Sequence, residues 1–313
     1  MKRGSAVAAA LLLILVAAAR PAADAQDDLS RRGDAGGATE MHRYTIGARV
    51  RPLIVFWITR KDVGDAVVTR HRAADEASYS LLIGSDPDRT PLHINRWGYI
   101  EEQIRGAEAR LLGLMTASDE ESVEQAEANV RRQATGAHRF KIIRGTADGE
   151  RMQSRVLSID LPEDYTLRQM TVALDAAKRA ADTGALRVVP VPPGTRPGLL
   201  AALSDAMRES PDRTIPYVYY GKRYELRRIR STSMPHFHIG ARDYGPAVAA
   251  DFVIVSTHDG EQTSFSMTYG TSGTYAEVPL TARYQPRWWM QVELTIADPD
   301  PSGAPAGQTE AAR

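Results

Sequence analysis

Two Asp-Gly pairs constrain this chain more than any other feature. Asp148-Gly149 joins a strand-like run, Phe140–Thr146, to a second, Arg151–Leu161. Asp259-Gly260 joins Phe252–His258 to Glu261–Tyr269 in the same way. Asp and Gly tolerate the positive backbone angles of the tight turns that match strand twist, so each pair predicts a β-hairpin. A chain with such hairpins must build at least part of its core from antiparallel strands.

Further strands follow from composition. Tyr44–Thr59 contains the dense apolar run Leu53–Ile58, rich in β-branched and aromatic residues, with Pro52 placing a break or an edge near its start. Val63-Gly64 reads as a turn, Ala66–His71 as a return strand and Ala77–Ile83 as a third strand. Tyr217–Arg230 reads as two short strands about Gly221-Lys222. Val278–Tyr284 and Trp288–Ile296 flank Gln285-Pro-Arg287.

Other segments carry helical spacing. Ile100, Ile104, Ala107, Leu111, Leu114 and Met115 predict a helix over Tyr99–Met115. Ser118-Asp-Glu-Glu121 is a capping box that predicts a second helix to Arg132. Thr166-Leu-Arg-Gln169 opens a third, with a stripe from Leu167 to Ala181 stopped by Gly184. Pro197 suits the first turn of a fourth, lined by Leu199, Leu200, Leu203, Ala206 and Met207 and ending near Ser210. The expected fold class is therefore α+β: an antiparallel sheet packed against several helices in a single domain.

The ends read differently. Lys2 and Arg3 precede the apolar run Ala6–Ala19, and Ala23-Asp24-Ala25 offers small residues before a cleavage point, so residues 1–25 are expected to be a secretory signal peptide. The apolar run is shorter than the roughly 20 residues of a membrane helix, and no later segment predicts one. Residues 26–41 read as a flexible leader, 42–297 as the domain and 298–313 as a disordered tail. The expected location is outside the cytoplasm, periplasmic or secreted.

The chain has no Cys, which excludes disulfides, thiol nucleophiles and thiolate ligands. Lys and Arg number 39, as do Asp and Glu, so no overall field favours nucleic acid. The basic run Lys222–Arg230 would split its charges over both faces of a strand, which argues against a nucleic-acid groove.

Catalytic signatures are sparse. There is no Gly-x-Ser-x-Gly, no His-Glu-x-x-His, no P-loop and no Gly-x-Gly-x-x-Gly. Asp86, Asp88 and Asp119–Glu121 fall at turns and helix starts, where backbone donors account for them. Ser85 reads as a turn residue bonding backbone. His236-Phe-His238 is the one metal-like feature: on a strand both imidazoles face one side, with Asp243 or His258 as a third ligand, though two His fall short of a ligand set. No cofactor is expected. Arg96, Trp97 and Tyr99 crowd the connection after Ala77–Ile83, as a recognition surface or as a plug with Trp97 in the core. Trp288 and Trp289, adjacent on a strand, must face opposite sides.

Three groups of residues carry a resemblance. Phe56-Trp-Ile with Val63-Gly-Asp-Ala66, then Tyr220-Gly-Lys-Arg-Tyr-Glu-Leu226, then Val278-Pro-Leu-Thr-Ala-Arg-Tyr284 with Val292-Glu-Leu294, resemble patterns in exported bacterial β-rich domains of unknown function. Those domains are likened to the periplasmic lipoprotein-carrier fold. The resemblance implies a curved antiparallel sheet with helices plugging its concave side, and it supplies no catalytic residues. It covers about a third of the domain, and the helices expected over 100–132 and 166–210 depart from it.

Three functional classes remain. The first is a non-catalytic binding or carrier protein for an apolar small molecule, lipid or envelope component, with Trp57, Arg96, Trp97, Tyr99, Trp288 and Trp289 as candidate ligand contacts. The second is a metal-dependent hydrolase using His236 and His238. The third is a cell-envelope scaffold that meets a partner protein through the connection from Asp86 to Tyr99.

Overall fold

The computed structural model describes residues 38–51, 57–90, 95–116, 138–161, 170–181, 183–210, 213–288 and 290–297. Most of them are strand. The first half is a meander of β1 (Ala38–Val50), β2 (Ile58–Arg72), β3 (Glu76–Ser85), β4 (Trp97–Arg105), β5 (Glu108–Thr116), β6 (His138–Ala147) and β7 (Arg151–Leu161). Helix α1 (Met170–Arg179), strand β8 (Leu186–Pro190) and helix α2 (Leu199–Arg208) follow. The second half holds β9 (Thr214–Tyr219), β10 (Lys222–Met234), the two-residue strands β11 (His238–Ile239) and β12 (Arg242–Asp243), then β13 (Ala247–Ser256), β14 (Gln262–Gly270), β15 (Pro279–Arg287) and β16 (Met290–Ile296).

Fourteen of these strands form one sheet, in the order β8-β7-β6-β5-β4-β3-β2-β1-β16-β15-β14-β13-β10-β9. Every neighbouring pair is antiparallel. The last strand, β16, closes on the first, β1, with Ile46 opposite Leu294. The Asp-Gly turns behave as their chemistry requires. Gly149 has φ +90°, and the Asp148 carboxylate accepts the N–H groups of Glu150 and Arg151 at 3.0 and 2.8 Å. Asp259 accepts the N–H of Glu261, and Gly260 has φ +70°.

The fold class differs from the α+β expectation. This is a mainly β chain with one large sheet, and the described residues contain two α-helices rather than several. The decisive segment is Tyr99–Met115, which is the β4–β5 hairpin and not a helix. Ile100 and Ile104 are four apart, which suits one helix face and equally one strand face, because four is an even number of residues. Gly106, at φ +57°, supplies the tight turn between the two strands. The helix expected over Ser118–Arg132 lies outside the described residues. The third and fourth expected helices are present as α1 over Met170–Arg179 and α2 over Leu199–Arg208, and the expected start of the third at Thr166 lies outside the described residues.

Strand alternation gives the sheet two apolar faces in its first half. Ile83, Ile100, Met115 and Ile143 point to one side with Ile46, Phe252, Met267 and Leu294 from the second half. The intervening residues Trp97, Tyr99, Leu114, Phe140, Ile142 and Leu157 point to the other, where Ala173 and Ala177 of α1 cover them. On the first side the sheet curls. Helix α2 touches β9 and β10 at one end of the strand order and β3 near its middle, which requires the sheet to curl around the helix. The segment between β8 and α2 meets the edge strand β9. The Arg196 N–H donates to the Pro216 carbonyl, and the Val218 N–H to the Arg196 carbonyl, each at 2.8 Å. Val218 packs among Ala109, Leu111, Ala147 and Met152 on the inner face of β5–β7.

The outer face of the second half is polar. Arg230, Asp251, Ser266, Arg283 and Glu293 stand in one cross-strand row. They line a shallow hollow whose charges pair internally, Arg230 with Asp251 at 2.6 Å and Arg283 with Glu293 at 3.2 Å. No described helix is long and apolar enough to cross a membrane.

Candidate functional site

The polar groups inside the curl gather at the two ends of α2. A row of inward residues at one level runs Glu102, Tyr79, Arg70, Glu40 across β4, β3, β2 and β1. Hydrophobic alternation would put apolar side chains here, and the helix explains why it does not.

Glu102 is fully buried. It faces the start of α2, whose first N–H groups have no partner within the helix. The two oxygens of Glu102 accept the N–H groups of Leu200 and Ala201, each at 2.9 Å. Helix start and carboxylate approach closely because residue 198 is glycine: a Cβ there would lie 2.2 Å from a Glu102 oxygen. Burial pushes the Glu102 carboxyl up to about 7, against the backbone hydrogen bonds that favour its charged form. Tyr217 and Tyr219 surround the same space. Their hydroxyls are buried without a hydrogen-bond partner among the described residues. Burial, with the Glu102 charge as a further cause, holds both phenols well above their usual range.

At the other end of α2, three guanidinium groups converge on one carboxylate oxygen of Glu277. Arg72 reaches it at 2.6 Å, Arg208 at 2.9 Å and Arg70 at 3.2 Å. Arg70 also meets Glu40 at 2.5 Å. Arg72 and Arg208 each donate to the Ser204 hydroxyl, at 2.8 and 2.9 Å, and so tie the last turn of α2 to β2. Glu277 has φ +59°, a left-handed conformation that costs a non-glycine residue roughly 1–2 kcal/mol. Partial burial raises the Glu277 carboxyl, but the hydrogen bonds from Arg72 and Arg208 outweigh it and leave the group below the usual carboxylate range.

The residues singled out from sequence lie elsewhere. Trp97 and Tyr99 are buried on the outer face beneath α1. The Trp97 ring is 4.3 Å from that of Phe140, and the Tyr99 hydroxyl donates to Glu101 at 2.9 Å. Arg96 is buried beside them, its N–H donating to the Ser85 hydroxyl. Asp86 makes the expected Asx-turn, accepting the Asp88 N–H at 3.0 Å, and also pairs with Arg89, which reaches Asp62 and Asp65. The connection is thus a packed and ion-paired corner. Trp57 lies under Arg49 and Arg51, 5.4 and 6.0 Å from its ring. Trp288 is exposed in the β15–β16 turn. Trp289 lies outside the described residues.

His236, His238 and Asp243 do come together on the small β11–β12 hairpin. Asp243 is 2.8 Å from His236 Nδ1 and 3.8 Å from His238 Nε2. The other Asp243 oxygen accepts the Gly245 N–H at 2.8 Å. His258 follows the far end of β13, about 30 Å of strand away. Among the described residues no group of three His, Cys, Asp or Glu is arranged to hold a metal ion.

Sequence reasoning missed Glu102, Arg70, Arg72, Arg208 and Glu277. The available signal was charge at inward strand positions, visible only once the strands are assigned. Comparison with family models, with curated proteins and with solved structures finds no match for this chain.

Proposed function

We propose that this chain is an exported, non-catalytic binding or carrier protein that takes an apolar ligand or envelope component into the space α2 fills. One observation carries this reading. Helix α2 sets Leu199, Ala202 and Ala206 against the apolar inner face, yet its ends are held by polar groups: Glu102 at the first turn, Arg72 and Glu277 at the last. Exchanging these ties for water costs about 1.5–3 kcal/mol for each hydrogen bond to a charged group, and the apolar lining left behind needs a cover. A ten-residue helix occupies a cylinder about 15 Å long and about 10 Å wide. That is on the order of 1,000 Å³, the size of a ligand pocket.

Two further features support the reading. The leader-like segment at residues 1–25 fits export. The resemblance to domains likened to lipoprotein carriers fits an apolar cargo, and the antiparallel sheet curled about a helix is compatible with it.

The test is native mass spectrometry of the untagged protein purified from a host that exports it, combined with titration of an apolar fluorescent dye. The expected result is a mass excess that disappears on denaturation and extracts as lipid, or saturable dye uptake near one equivalent. A bare mass together with no dye uptake would overturn the proposal.

A further inference from the structure

The Glu277 carboxylate lies in a cluster of guanidinium groups at the end of α2. Arg70, Arg72 and Arg208 all reach one of its oxygens. Counting Glu40, the cluster holds three cations against two anions. Arg70 and Arg72 stand on the curled sheet, two residues apart on β2 and so on the same face of the strand. Glu277 comes instead from the turn between β14 and β15, where Thr271, Ser272, Gly273 and Thr274 are exposed. It sits there in a left-handed conformation. The cations thus stand on a strand of the sheet, and the carboxylate comes from a turn tied back by the Glu277 N–H to the Gly270 carbonyl at 2.8 Å.

The same cluster ends α2. Arg208 binds Glu277, and Arg72 binds Ser204, so the last turn of the helix is latched through the groups that hold the carboxylate. An external anion on Arg70 and Arg72 would displace Glu277 and loosen that latch.

We propose that Arg70 and Arg72 form the head-group site for an anionic amphiphile, with the Glu277 carboxylate holding the position until a ligand carboxylate or phosphate replaces it. This rests on the binding reading above: the tail takes the apolar space of α2, and the head lies at its C-terminal end. Guanidinium pairs suit carboxylate and phosphate oxygens alike, because both match the planar fork of donors. Exchange of one anion for another keeps the charge balance of the cluster.

The experiment measures binding of dodecanoate, dodecyl phosphate and dodecanol to the full chain by displacement of the apolar dye. Wild type is expected to bind at least one of the two anions about tenfold more tightly than the alcohol, the scale of one charge-assisted hydrogen bond. The tighter of the two identifies the head chemistry. Arg70→Gln with Arg72→Gln should remove that preference of anion over alcohol, read as the ratio of the two affinities in the same variant. Should that double variant fail to fold, Glu277→Gln decides the matter, because it weakens the internal competitor. Its preference for the anion over the alcohol should rise by about tenfold. Equal affinity for anions and alcohol in wild type, or no gain in Glu277→Gln, would overturn the head-group site while the apolar binding reading stands. Failure to bind all three amphiphiles would overturn the binding reading itself.

Discussion

The carboxylate of Glu102 accepts the backbone N–H of Leu200 at 2.9 Å, across 98 residues of sequence. A buried acid is thereby the cap of the helix that the sheet encloses. Burial raises its pKa from 4.5 to about 7. The folded state thus binds a proton more tightly than the unfolded chain does. The associated stability is fully present below about pH 4.5 and is lost as pH rises to about 7, after which it is flat. The shift corresponds to about 3 kcal/mol. Urea unfolding of wild type and Glu102→Gln across pH 4.5–8 measures it. The wild-type advantage should shrink with rising pH over that window, and parallel curves would count against a titrating cap.

Gly198 is required by space. Its φ of 166° is extended backbone open to any residue, but a Cβ would meet the Glu102 carboxylate at 2.2 and 2.6 Å. Gly198→Ala should cost about 1–3 kcal/mol through overpacking. The same substitution in a Glu102→Ala background should cost less, because the colliding group is gone. A double-mutant cycle by chemical denaturation reads this coupling, and additive costs would show that the two residues do not compete for the same volume.

The two tryptophans Trp97 and Trp288 should behave oppositely. Trp97 is 1 % exposed and stacks near Phe140, whereas Trp288 is 59 % exposed. Trp97→Ala is expected to cost about 3–5 kcal/mol, and Trp288→Ala to stay within about 0.5 kcal/mol. Thermal or urea unfolding of each variant checks this. A stable Trp97→Ala would return the Asp86–Tyr99 connection to the status of a contact surface.

Much of this architecture was legible where turn chemistry is local. Asp148-Gly149 and Asp259-Gly260 predict their hairpins because two residues suffice to select a tight turn. The β4–β5 hairpin was not legible, since Ile100 and Ile104 fit two periodicities and Gly106 resembles a tolerated helix glycine. Glu102 reads as a solvated charge beside Glu101, and only the neighbouring strands reveal that the first points in and the second out. The pairing of Arg72 with Glu277 spans 205 residues, and no local pattern encodes such a distance. Apolar periodicity did place α1 and α2, but which face of the sheet each would cover depended on strand alternation across many strands.

The histidine hairpin yields the remaining prediction. Asp243 already accepts the Gly245 N–H and bonds to His236. These contacts, the backbone one first, hold its carboxyl below the usual range. A metal ion between His236 and His238 would have to share or displace both contacts. It would also find the two imidazoles largely exposed, with ring centroids 6.4 Å apart. We therefore expect a chelator to leave the unfolding temperature of untagged protein unchanged, and stoichiometric zinc to raise it by less than about 1 °C. Structural zinc, in contrast, adds folding free energy directly. A zinc-dependent rise of several degrees that His236→Ala abolishes would instead establish a metal site on the hairpin and reopen the hydrolase reading.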